Sequence, residues 1–321
     1  MNTFAEKKEK RTQVDFNNPF PPFPREVFFD ITNACNHSCF FCSNPRTKKN
    51  FYLKKELVFR LMREAYENGT TDIALYATGE PFMHKDLAEM VREAKRIGIK
   101  YVFITTNGSM ADQERAKPVL DAGLDSVKFS INAGTRESYK EVHGKDHFER
   151  VLSNVQWFYE YRKQVGLKYG LYASMVPSHK TKDESQILKE KIMPYVDEFD
   201  LRGCSNQGGN MYDNNETEYI EKDNLLGSLG SHQFCGRCPD VFHRITVTPE
   251  GYASACVVDY MNYLVVEDLN NTTIKDAWSN ELFVGLRKKH ISGDLVGTIC
   301  FNCLNNVNKL KVPLTPEFAR D

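Results

Sequence analysis

Three cysteines that lie close together form the most reactive group in this 321-residue sequence. Cys35, Cys39 and Cys42 fall within the eight positions "CNHSCFFC", with three residues in the first gap and two in the second. Iron–sulfur clusters are held by cysteine thiolates, normally four for a cubane. Three thiolates on one loop bind three corners and leave one iron free to chelate a small molecule. The spacing therefore indicates a catalytic iron–sulfur cluster.

A zinc site is the alternative interpretation of the same loop. Its fourth ligand would be His37 or His84. Structural zinc sites usually use paired Cys-x2-Cys knuckles, and this loop does not have that pattern. The iron–sulfur interpretation is therefore favoured.

Charge and hydropathy limit the partners and the compartment. The chain has 42 basic and 43 acidic residues, for a net charge of −1, whereas nucleic-acid-binding proteins show a basic excess or stripe. The N-terminus has no signal-peptide core, and no run of ~18 apolar residues is present. We therefore expect a cytoplasmic protein with no nucleic-acid partner and no membrane partner. In that reducing compartment nine cysteines indicate metal or redox chemistry rather than disulfides.

Alternating β-rich and amphipathic segments must position the cysteine loop. The strand candidates are Glu26–Thr32, Asp72–Ala77, Tyr101–Thr106, Ser126–Ile131, Tyr169–Val176 and Glu198–Arg202. Helical patterns lie between them, near 57–65, 87–97, 111–122, 149–165 and 183–196. Six β–α units predict an α/β fold, an open partial (βα)6 TIM-like barrel whose chemistry lies at the carboxyl ends of the strands. The cysteine loop directly follows the first strand.

The pattern changes after this barrel half, and it predicts five segments. They are an N-terminal extension (1–24), the partial barrel (25–205), an Asn- and Gly-rich linker (206–232), a small α+β cysteine-rich domain (233–308) and a C-terminal tail (309–321). Within the cysteine-rich domain we expect a hairpin over Arg244–Cys256 and a helix over Thr273–His290.

The cysteine loop, with the aromatic Phe41 before its last cysteine, resembles the signature of radical S-adenosylmethionine (SAM) enzymes. The resemblance extends to other predicted strand ends. "ATGEP" (77–81) resembles the family's glycine–glutamate motif, although Thr78 stands where glycine is common. The further matching stretches are "TTNG" (105–108), "FSINA" (129–133) and "VHGKDHFERVLSNV" (142–155).

The resemblance implies roles for particular residues. The three cysteines of the loop would hold a [4Fe–4S] cluster whose fourth iron binds the amino and carboxylate groups of SAM. Phe41 would pack near the adenine, and Gly79 with Glu80 would receive the methionine ammonium. Ser130 and Asn132 would lie by the ribose hydroxyls and the carboxylate. The reduced cluster would then cleave SAM to a 5′-deoxyadenosyl radical, which takes a hydrogen atom from the substrate.

The C-terminal cysteines resemble those of a twitch domain, the reduced half of a SPASM domain. The matching pattern is Cys238-x12-Gly251-x4-Cys256 followed by Cys300-x2-Cys303. The resemblance implies one auxiliary [4Fe–4S] cluster held by these four cysteines, because no cysteine follows Cys303 to complete a second site. Gly251 would supply the positive-φ turn residue that the hairpin needs.

Cys235 offers an alternative to this ligand set. With Cys238, Cys300 and Cys303 it would form a zinc ribbon of plausible spacing. The iron–sulfur interpretation is favoured because Cys256 would be unused in a ribbon. Cys235 would then be a spare thiol or an alternative ligand.

The ninth cysteine, Cys204, falls just after the last predicted strand. As a small apolar residue it would simply pack in the core. Alternatively it faces the barrel interior and hands a hydrogen atom to a substrate radical, as cysteines do in radical epimerases. Arg202 and Asn206 or Gln207 would hold polar groups of the substrate at the same mouth.

These features predict an oxidoreductase. Its substrate would be a small polar metabolite, either a sugar, a cyclitol or a nucleotide-linked molecule, and the auxiliary cluster would accept the second electron of an alcohol oxidation. A flavodoxin or ferredoxin would donate electrons.

The alternatives are a radical epimerase that uses Cys204, a peptide (RiPP) maturase, and a non-enzymatic zinc or iron–sulfur scaffold. The maturase is disfavoured because only ~25 residues precede the first strand, too few for a winged-helix leader-binding module. Molybdopterin-precursor cyclases share the two-cluster plan but end in Gly-Gly-Arg, whereas this chain ends in "EFARD".

Overall fold

The computed structural model of the chain describes residues 14–44, 47–211 and 236–320. Within these ranges the strands are β1 (Glu26–Phe29), β2 (Asp72–Ala74), β3 (Tyr101–Thr106), β4 (Ser126–Ser130), β5 (Gly170–Met175), β6 (Glu198–Leu201), β7 (Arg244–Val247), β8 (Tyr252–Ser254) and β9 (Val265–Asp268). They form one sheet in the order β6-β5-β4-β3-β2-β1-β7-β8-β9.

Helices follow most of the strands of the barrel half. They are α1 (Lys55–Glu67), α2 (Leu87–Ile97), α3 (Gln113–Asp121), α4 (Arg136–His143), α5 (Phe148–Val165) and α6 (Ser185–Ile192). The C-terminal part contributes α7 (Asp240–His243), α8 (Ile274–Ser279), α9 (Glu281–Ser292) and α10 (Ile299–Asn305). None of the helices in the described part of the chain is both long and apolar enough to cross a bilayer.

Strands β1 to β6 pair in parallel throughout, so the predicted open partial barrel is confirmed. Alternate residues of each strand face opposite sides of the sheet. In β1, Val27 and Phe29 pack into the large core beneath the helices. Phe28 points to the other face and meets Tyr76 and Phe103 edge to face, with ring centroids 5.6 and 5.9 Å away. The inner face of the barrel therefore has an aromatic floor.

The cysteine-rich part continues the barrel sheet. Strand β7 pairs in parallel with β1, from Glu26 opposite Arg244 to Phe29 opposite Val247. The hairpin of β7 and β8 and the final strand β9 then pair antiparallel. The sequence predicted this hairpin but not its partner. The pairing covers β1, whose buried backbone groups would otherwise form an unpaired sheet edge.

Two helical regions differ from the sequence expectation. The single helix expected over Thr273–His290 is two helices, because Asn280 has ψ 142° and its side chain caps the Leu282 N–H at 2.8 Å. Helix α4 was not predicted, and it begins where the Thr135 side chain accepts the Ser138 N–H. Pro118 lies inside α3 without dividing it. Most of the expected linker falls outside the described residues.

The loop after β2 docks directly on the cysteine loop after β1. The Glu80 N–H donates to the Ala34 carbonyl at 2.8 Å. A Cβ atom at Gly79 would lie 2.2 Å from the Thr32 carbonyl oxygen and 2.6 Å from that of Ala34. Backbone oxygens cannot retreat as a flexible side chain can, so only glycine lets the two loops approach this closely.

We predict that Gly79→Ala forces these loops apart and lowers the free energy of unfolding by about 1–3 kcal/mol, the usual cost of overpacking. Chemical denaturation of the apoprotein measures it. The matched control is Gly285→Ala in α9, where an added Cβ meets nothing within 4 Å. It should stabilise the helix by about 0.5–1 kcal/mol. Equal effects of the two substitutions would contradict the close approach at Gly79.

Candidate functional site

The cysteine loop is fastened to its neighbours through its backbone. The Gln207 side chain receives the Ser43 N–H on Oε1 and donates from Nε2 to the Phe41 carbonyl, both at 2.9 Å. The Asn44 amide donates to the Asn33 carbonyl at 2.6 Å and to the Thr78 carbonyl at 2.7 Å. These bonds hold the thiols in a loop that has no regular secondary structure of its own.

Helix α4 and the cysteine loop complete each other. The last carbonyls of a helix have no partner inside the helix. Here the Val142 and His143 carbonyls accept the Phe40 and Ser38 N–H groups, each at 3.2 Å. Gly144 ends the helix with φ 66°, and it packs against Ser38. The loop thus depends on a helix about a hundred residues further along the chain.

The three thiols lie close enough to repel one another as thiolates. Burial raises the pKa of Cys35 to about 12, and the charges of Glu80 and Cys42 raise it further. Burial raises the pKa of Cys39 well above its usual value, with added contributions from Cys42 and Cys35. Such thiols ionise only beside a strong positive charge, which a metal centre supplies. The donor set therefore fits an iron–sulfur cluster.

Each of these thiols faces a hydrogen-bond donor from a different part of the chain. Asn107 Nδ2, after β3, lies 3.9 Å from Cys35 Sγ. His143 Nδ1, at the end of α4, lies 3.1 Å from Cys39 Sγ. Tyr260 Oη, between β8 and β9, lies 3.5 Å from Cys42 Sγ. Donors aimed at sulfur are what a negatively charged thiolate requires.

The tautomer of His143 follows from its neighbours. The Asn132 backbone N–H donates to His143 Nε2 at 3.2 Å, and Asn132 Nδ2 lies 3.5 Å from the same atom. Burial lowers the pKa of His143 well below its usual value, so the ring is neutral. Since Nε2 accepts, Nδ1 carries the proton and donates to Cys39. This side chain orients the cysteine rather than competing with it for a metal.

His84, one of the two histidines proposed for a zinc site, is engaged elsewhere. Nε2 of His84 pairs with the Leu53 carbonyl, and its Nδ1 accepts the Asp86 N–H. The ligand atoms of His37, Cys39 and His143 do lie within 4.8 Å of one another. Zinc there would need His143 Nδ1 without its proton, and the bond from Asn132 to Nε2 would be lost. The geometry therefore favours the thiol-only set.

Glu80 is buried, with hydrogen bonds on both carboxylate oxygens. Oε1 accepts from Thr106 Oγ1 at 2.7 Å and from the Phe82 N–H at 3.1 Å, and Oε2 accepts the Asn107 N–H at 2.8 Å. Burial raises its pKa to about 7, although these bonds oppose the rise. A carboxylate has about four acceptor positions, so one remains on Oε2 for a cation.

Thr78 replaces the common glycine for a visible reason. Its N–H and its hydroxyl both donate to the buried carboxyl group of Asp30 at the end of β1. Burial raises the pKa of Asp30 to about 7. The threonine hydroxyl is thus used to satisfy an acidic side chain next to the cysteine loop.

The other expected SAM contacts surround the same loop. Phe41 lies within the cysteine loop itself, with its ring 6.5 Å from that of His143. Ser130 ends β4 with a partly buried side chain. Asn132 is buried, and its Oδ1 accepts the Val176 N–H at 2.8 Å. Four strand ends therefore converge around the thiols, as expected for a parallel barrel.

A second thiol set forms in the C-terminal part. Cys300 and Cys303 stand three residues apart on α10 and so share a helix face. Burial raises the pKa of Cys256 well above its usual value, and the charges of Cys238 and Cys300 raise it further. Cys303 acts on Cys300 in the same way. Four thiols that influence one another fit a fully ligated cubane.

The zinc-ribbon alternative is weakened because Cys256 belongs to this group rather than lying apart from it. Cys235, the fourth ligand of that alternative, lies outside the described residues. Cys238 lies just before α7, and its backbone N–H donates to His290 Nδ1 at 3.3 Å.

The expected substrate residues separate into two groups. Asn206 is fully engaged in the fold: its Oδ1 accepts the Gly209 N–H at 2.5 Å, and its Nδ2 donates to the Asn302 carbonyl at 3.1 Å. The Gln207 side chain likewise hydrogen-bonds to the cysteine loop. Both side chains therefore stabilise the fold. Arg202 lies just past the end of β6 and donates from Nε to Asp200 at 3.0 Å. Cys204 follows it with a buried thiol.

Sequence reasoning missed the donors to sulfur. Asn107 and His143 stand inside the quoted motifs "TTNG" and "VHG", so a signal existed, although it did not reveal their targets. Tyr260 is 218 residues from Cys42 and lies in no motif. The pairing of β7 with β1 brings it there.

Comparisons with known proteins agree with this geometry. A family model described as the radical SAM superfamily matches residues 29–188. A second model, SPASM, described as an iron–sulfur cluster-binding domain, matches residues 235–304. The first spans the cysteine loop and the strand ends around it, and the second spans the C-terminal thiol set.

Curated relatives match the chain over part of its length. A "Probable GTP 3',8-cyclase" of Saccharolobus solfataricus is 35% identical over 127 residues, which is 39% of this chain and 41% of that protein. The protein of the same name from Metallosphaera sedula is 35% identical over 128 residues, or 39% and 40% of the two chains. The match thus spans about two fifths of the length of these relatives.

Solved structures share the fold across nearly the whole chain. BtrN in complex with AdoMet and 2-DOIA has a TM-score of 0.59 at 18% identity, over 92% of this chain and 99% of that one. Streptococcus suis SuiB bound to precursor peptide SuiA has a TM-score of 0.68 at 16% identity, over 98% and 78%. The thiol loop, the barrel and the two matching family models lead to one conclusion: the chain belongs to the radical SAM superfamily, whose domain implies a [4Fe–4S] cluster with SAM, and it carries a C-terminal SPASM-type iron–sulfur cluster-binding domain.

Proposed function

We propose that this enzyme oxidises an alcohol carbon of a small polar metabolite by hydrogen-atom abstraction. The observation that supports this proposal best is the presence of two thiol sets linked by one short segment, since Tyr260 reaches Cys42 only four residues after Cys256. A second redox centre near the first can accept the electron that a substrate radical must lose to become a carbonyl.

The ligand assignment uses seven cysteines. Cys35, Cys39 and Cys42 hold the cluster that binds SAM, and the auxiliary cluster is held by Cys238, Cys256, Cys300 and Cys303. When bound and reduced, the first cluster supplies one electron that cleaves SAM and yields the 5′-deoxyadenosyl radical. Glu80, with Gly79 beside it, would accept hydrogen bonds from the SAM amino group. Phe41 would lie by the adenine, and Ser130 and Asn132 would lie by the ribose and carboxylate.

The oxidation balances with one auxiliary cluster. Loss of one hydrogen atom from the alcohol carbon to the 5′-deoxyadenosyl radical, of the hydroxyl proton and of one electron would give the carbonyl. The auxiliary cluster held by Cys238, Cys256, Cys300 and Cys303 would accept that electron and would pass it on before the next turnover. An external donor such as flavodoxin or ferredoxin supplies the electron that cleaves SAM.

Polar and charged side chains near the ends of the strands support a polar substrate. The aromatic floor of Phe28, Tyr76 and Phe103 lies on the inner face of the sheet. Arg202 and Asp200 form an ion pair near the carboxyl end of β6, where hydroxyl or phosphate groups could be bound. The structural match to BtrN in complex with AdoMet and 2-DOIA covers 92% of this chain and 99% of that one. Similarity to proteins named as GTP 3′,8-cyclases keeps nucleotide-linked molecules within the substrate class.

Two other outcomes have specific support. An epimerase would use Cys204 to return a hydrogen atom. This buried residue lies in the sequence between Arg202 and Gln207, whose side chain hydrogen-bonds to the cysteine loop. A peptide maturase is favoured by the likeness to SuiB, whose structure holds a precursor peptide. Oxidation is preferred because it assigns a role to both thiol sets.

We predict about eight irons per chain after anaerobic reconstitution, and 5′-deoxyadenosine on addition of dithionite and SAM. The triple change Cys35→Ala, Cys39→Ala and Cys42→Ala should leave about four irons and abolish SAM cleavage, because only the auxiliary site remains. Cys300→Ala with Cys303→Ala should also leave about four irons yet still cleave SAM. Iron analysis and chromatography measure both quantities.

The control for this series is Cys204→Ala, which removes a thiol that is not a ligand and should retain about eight irons and SAM cleavage. A wild-type protein that holds about four irons and does not cleave SAM would contradict the ligand assignment.

We predict that SAM binds more tightly as pH rises towards about 7. The pKa of Glu80 in the SAM-free protein is about 7, so its carboxyl group is mostly neutral at lower pH. In the complex the SAM amino group would bind iron through its lone pair, and its N–H groups beside Glu80 would favour the ionised carboxylate. Binding therefore releases protons, and affinity falls as the pH falls below about 7.

Calorimetric titration of SAM from about pH 6 to about pH 7.5 tests this dependence. Glu80→Gln keeps the shape of the side chain but not its charge, and it should bind SAM weakly with a flatter pH profile. Asp30→Asn separates the contribution of the neighbouring carboxyl group, whose pKa is also about 7. A profile shared by wild type and Glu80→Gln would exclude Glu80 from binding the SAM amino group.

Turnover in D2O separates oxidation from epimerisation. Oxidation places no solvent deuterium on the reacting carbon, whereas return of a hydrogen from the exchangeable thiol of Cys204 places one there. We expect a product two hydrogens lighter than substrate and unchanged by Cys204→Ala, as measured by mass spectrometry. Carbon-bound deuterium that disappears in Cys204→Ala would instead establish the epimerase.

A further inference from the structure

One short segment of the C-terminal domain contacts both thiol sets. It runs from Cys256, after β8, to Tyr260. At its start the Val258 N–H donates to Cys256 Sγ at 3.5 Å. At its end the Tyr260 hydroxyl lies 3.5 Å from Cys42 Sγ. The side chain of Tyr260 is only 6% exposed, so no solvent layer separates the two groups.

Asp259 fixes the shape of this segment. Its buried carboxylate accepts the Tyr263 N–H at 2.8 Å on one oxygen. The other oxygen accepts the Leu264 N–H at 2.7 Å and the Ser254 hydroxyl at 2.9 Å. The carboxylate thereby closes the turn between β8 and β9, and it holds Tyr260 at one place relative to the sheet.

Arg320 anchors the backbone of Tyr260 from the other side. Its Nη1 donates to the Tyr260 carbonyl at 2.7 Å, and its backbone N–H donates to the Met261 carbonyl at 2.9 Å. Its Nε and Nη2 bind both carboxylate oxygens of Glu250, each at 2.7 Å. Glu250 belongs to the turn between β7 and β8. A bidentate pair of this kind is geometrically specific and largely buried here.

We propose that Tyr260 is a positioning residue that donates a hydrogen bond to the Cys42 thiolate and thereby raises the reduction potential of the SAM-binding cluster. The inference rests on the proposed function, since it takes Cys42 as a ligand. A ligated Cys42 has no proton, so the hydroxyl must be the donor. A donor at sulfur stabilises the more negative, reduced cluster over the oxidised one. The C-terminal domain therefore sets a property of the barrel's cluster.

The hydroxyl can be removed with little change in packing. Tyr260→Phe keeps the ring against its neighbours and deletes only the donor. Iron content should stay at the wild-type level, while the midpoint potential of the SAM-binding cluster shifts to more negative values. Potentiometric titration of the reconstituted holoenzyme followed by electron paramagnetic resonance measures the shift. The signal of this cluster is identified by its change on addition of SAM.

The matched control is Tyr263→Phe, three residues further along the same turn. Among the described residues no thiol hydrogen-bonds to the Tyr263 hydroxyl, so its removal should leave the midpoint unchanged. If Tyr260→Phe does not yield folded protein, Arg320→Lys answers the question in the same titration. Lysine keeps the positive charge but cannot form the bidentate pair with Glu250. Tyr260 is then held less firmly, and the midpoint potential should shift in the same direction.

The outcomes distinguish this inference from the proposed function. A wild-type enzyme that loads both clusters and cleaves SAM, together with an unshifted midpoint in Tyr260→Phe, overturns the role of Tyr260 alone. A wild-type protein without SAM cleavage overturns the ligand assignment first. Equal shifts in Tyr260→Phe and Tyr263→Phe would also overturn the inference, because they would show a general effect of changing the turn.

Discussion

The parallel pairing of β7 with β1 is the contact on which the site depends. Strand β1 leads directly into the cysteine loop, and β7 begins the hairpin that leads to Cys256. Four consecutive residue pairs therefore bring two stretches that are distant in sequence to the same end of the strands in one sheet. Because β7 continues the hydrogen-bond ladder, the C-terminal domain is built onto the barrel rather than tethered to it. The turn that carries Tyr260 follows from this pairing.

Several buried polar groups at the mouth hydrogen-bond to one another. Asp30 takes both donors of Thr78, Glu80 takes three donors from neighbouring loops, and the thiols face donors from separate elements. A buried hydrogen-bond network that is only partly formed lowers the stability of the folded state. A complete one favours a single arrangement of its side chains. The same network leaves two carboxyl groups with pKa values of about 7, so the charge of the site changes near neutral pH.

Much of the fold and the thiol sets could be predicted because they rest on local patterns. The parallel strands follow from alternating segments, and helix α2 has the predicted bounds. The cysteine spacing identified the loop. What could not be predicted depends on contacts between remote residues: the partner of the hairpin, the engagement of Asn206 and Gln207 within the fold, and the donor at Cys42. No periodicity records which hydroxyl will meet which sulfur.

The capping of α4 by the cysteine loop has a consequence for how the enzyme is made. The thiols of the loop leave the ribosome early, but the carbonyls that receive Ser38 and Phe40 belong to residues 142 and 143. Tyr260 emerges much later still. Chains fold progressively from the N-terminus during synthesis. A cluster delivered to the nascent loop would meet thiols without these partners, so the complete site exists only once the barrel and the turn that carries Tyr260 have been made.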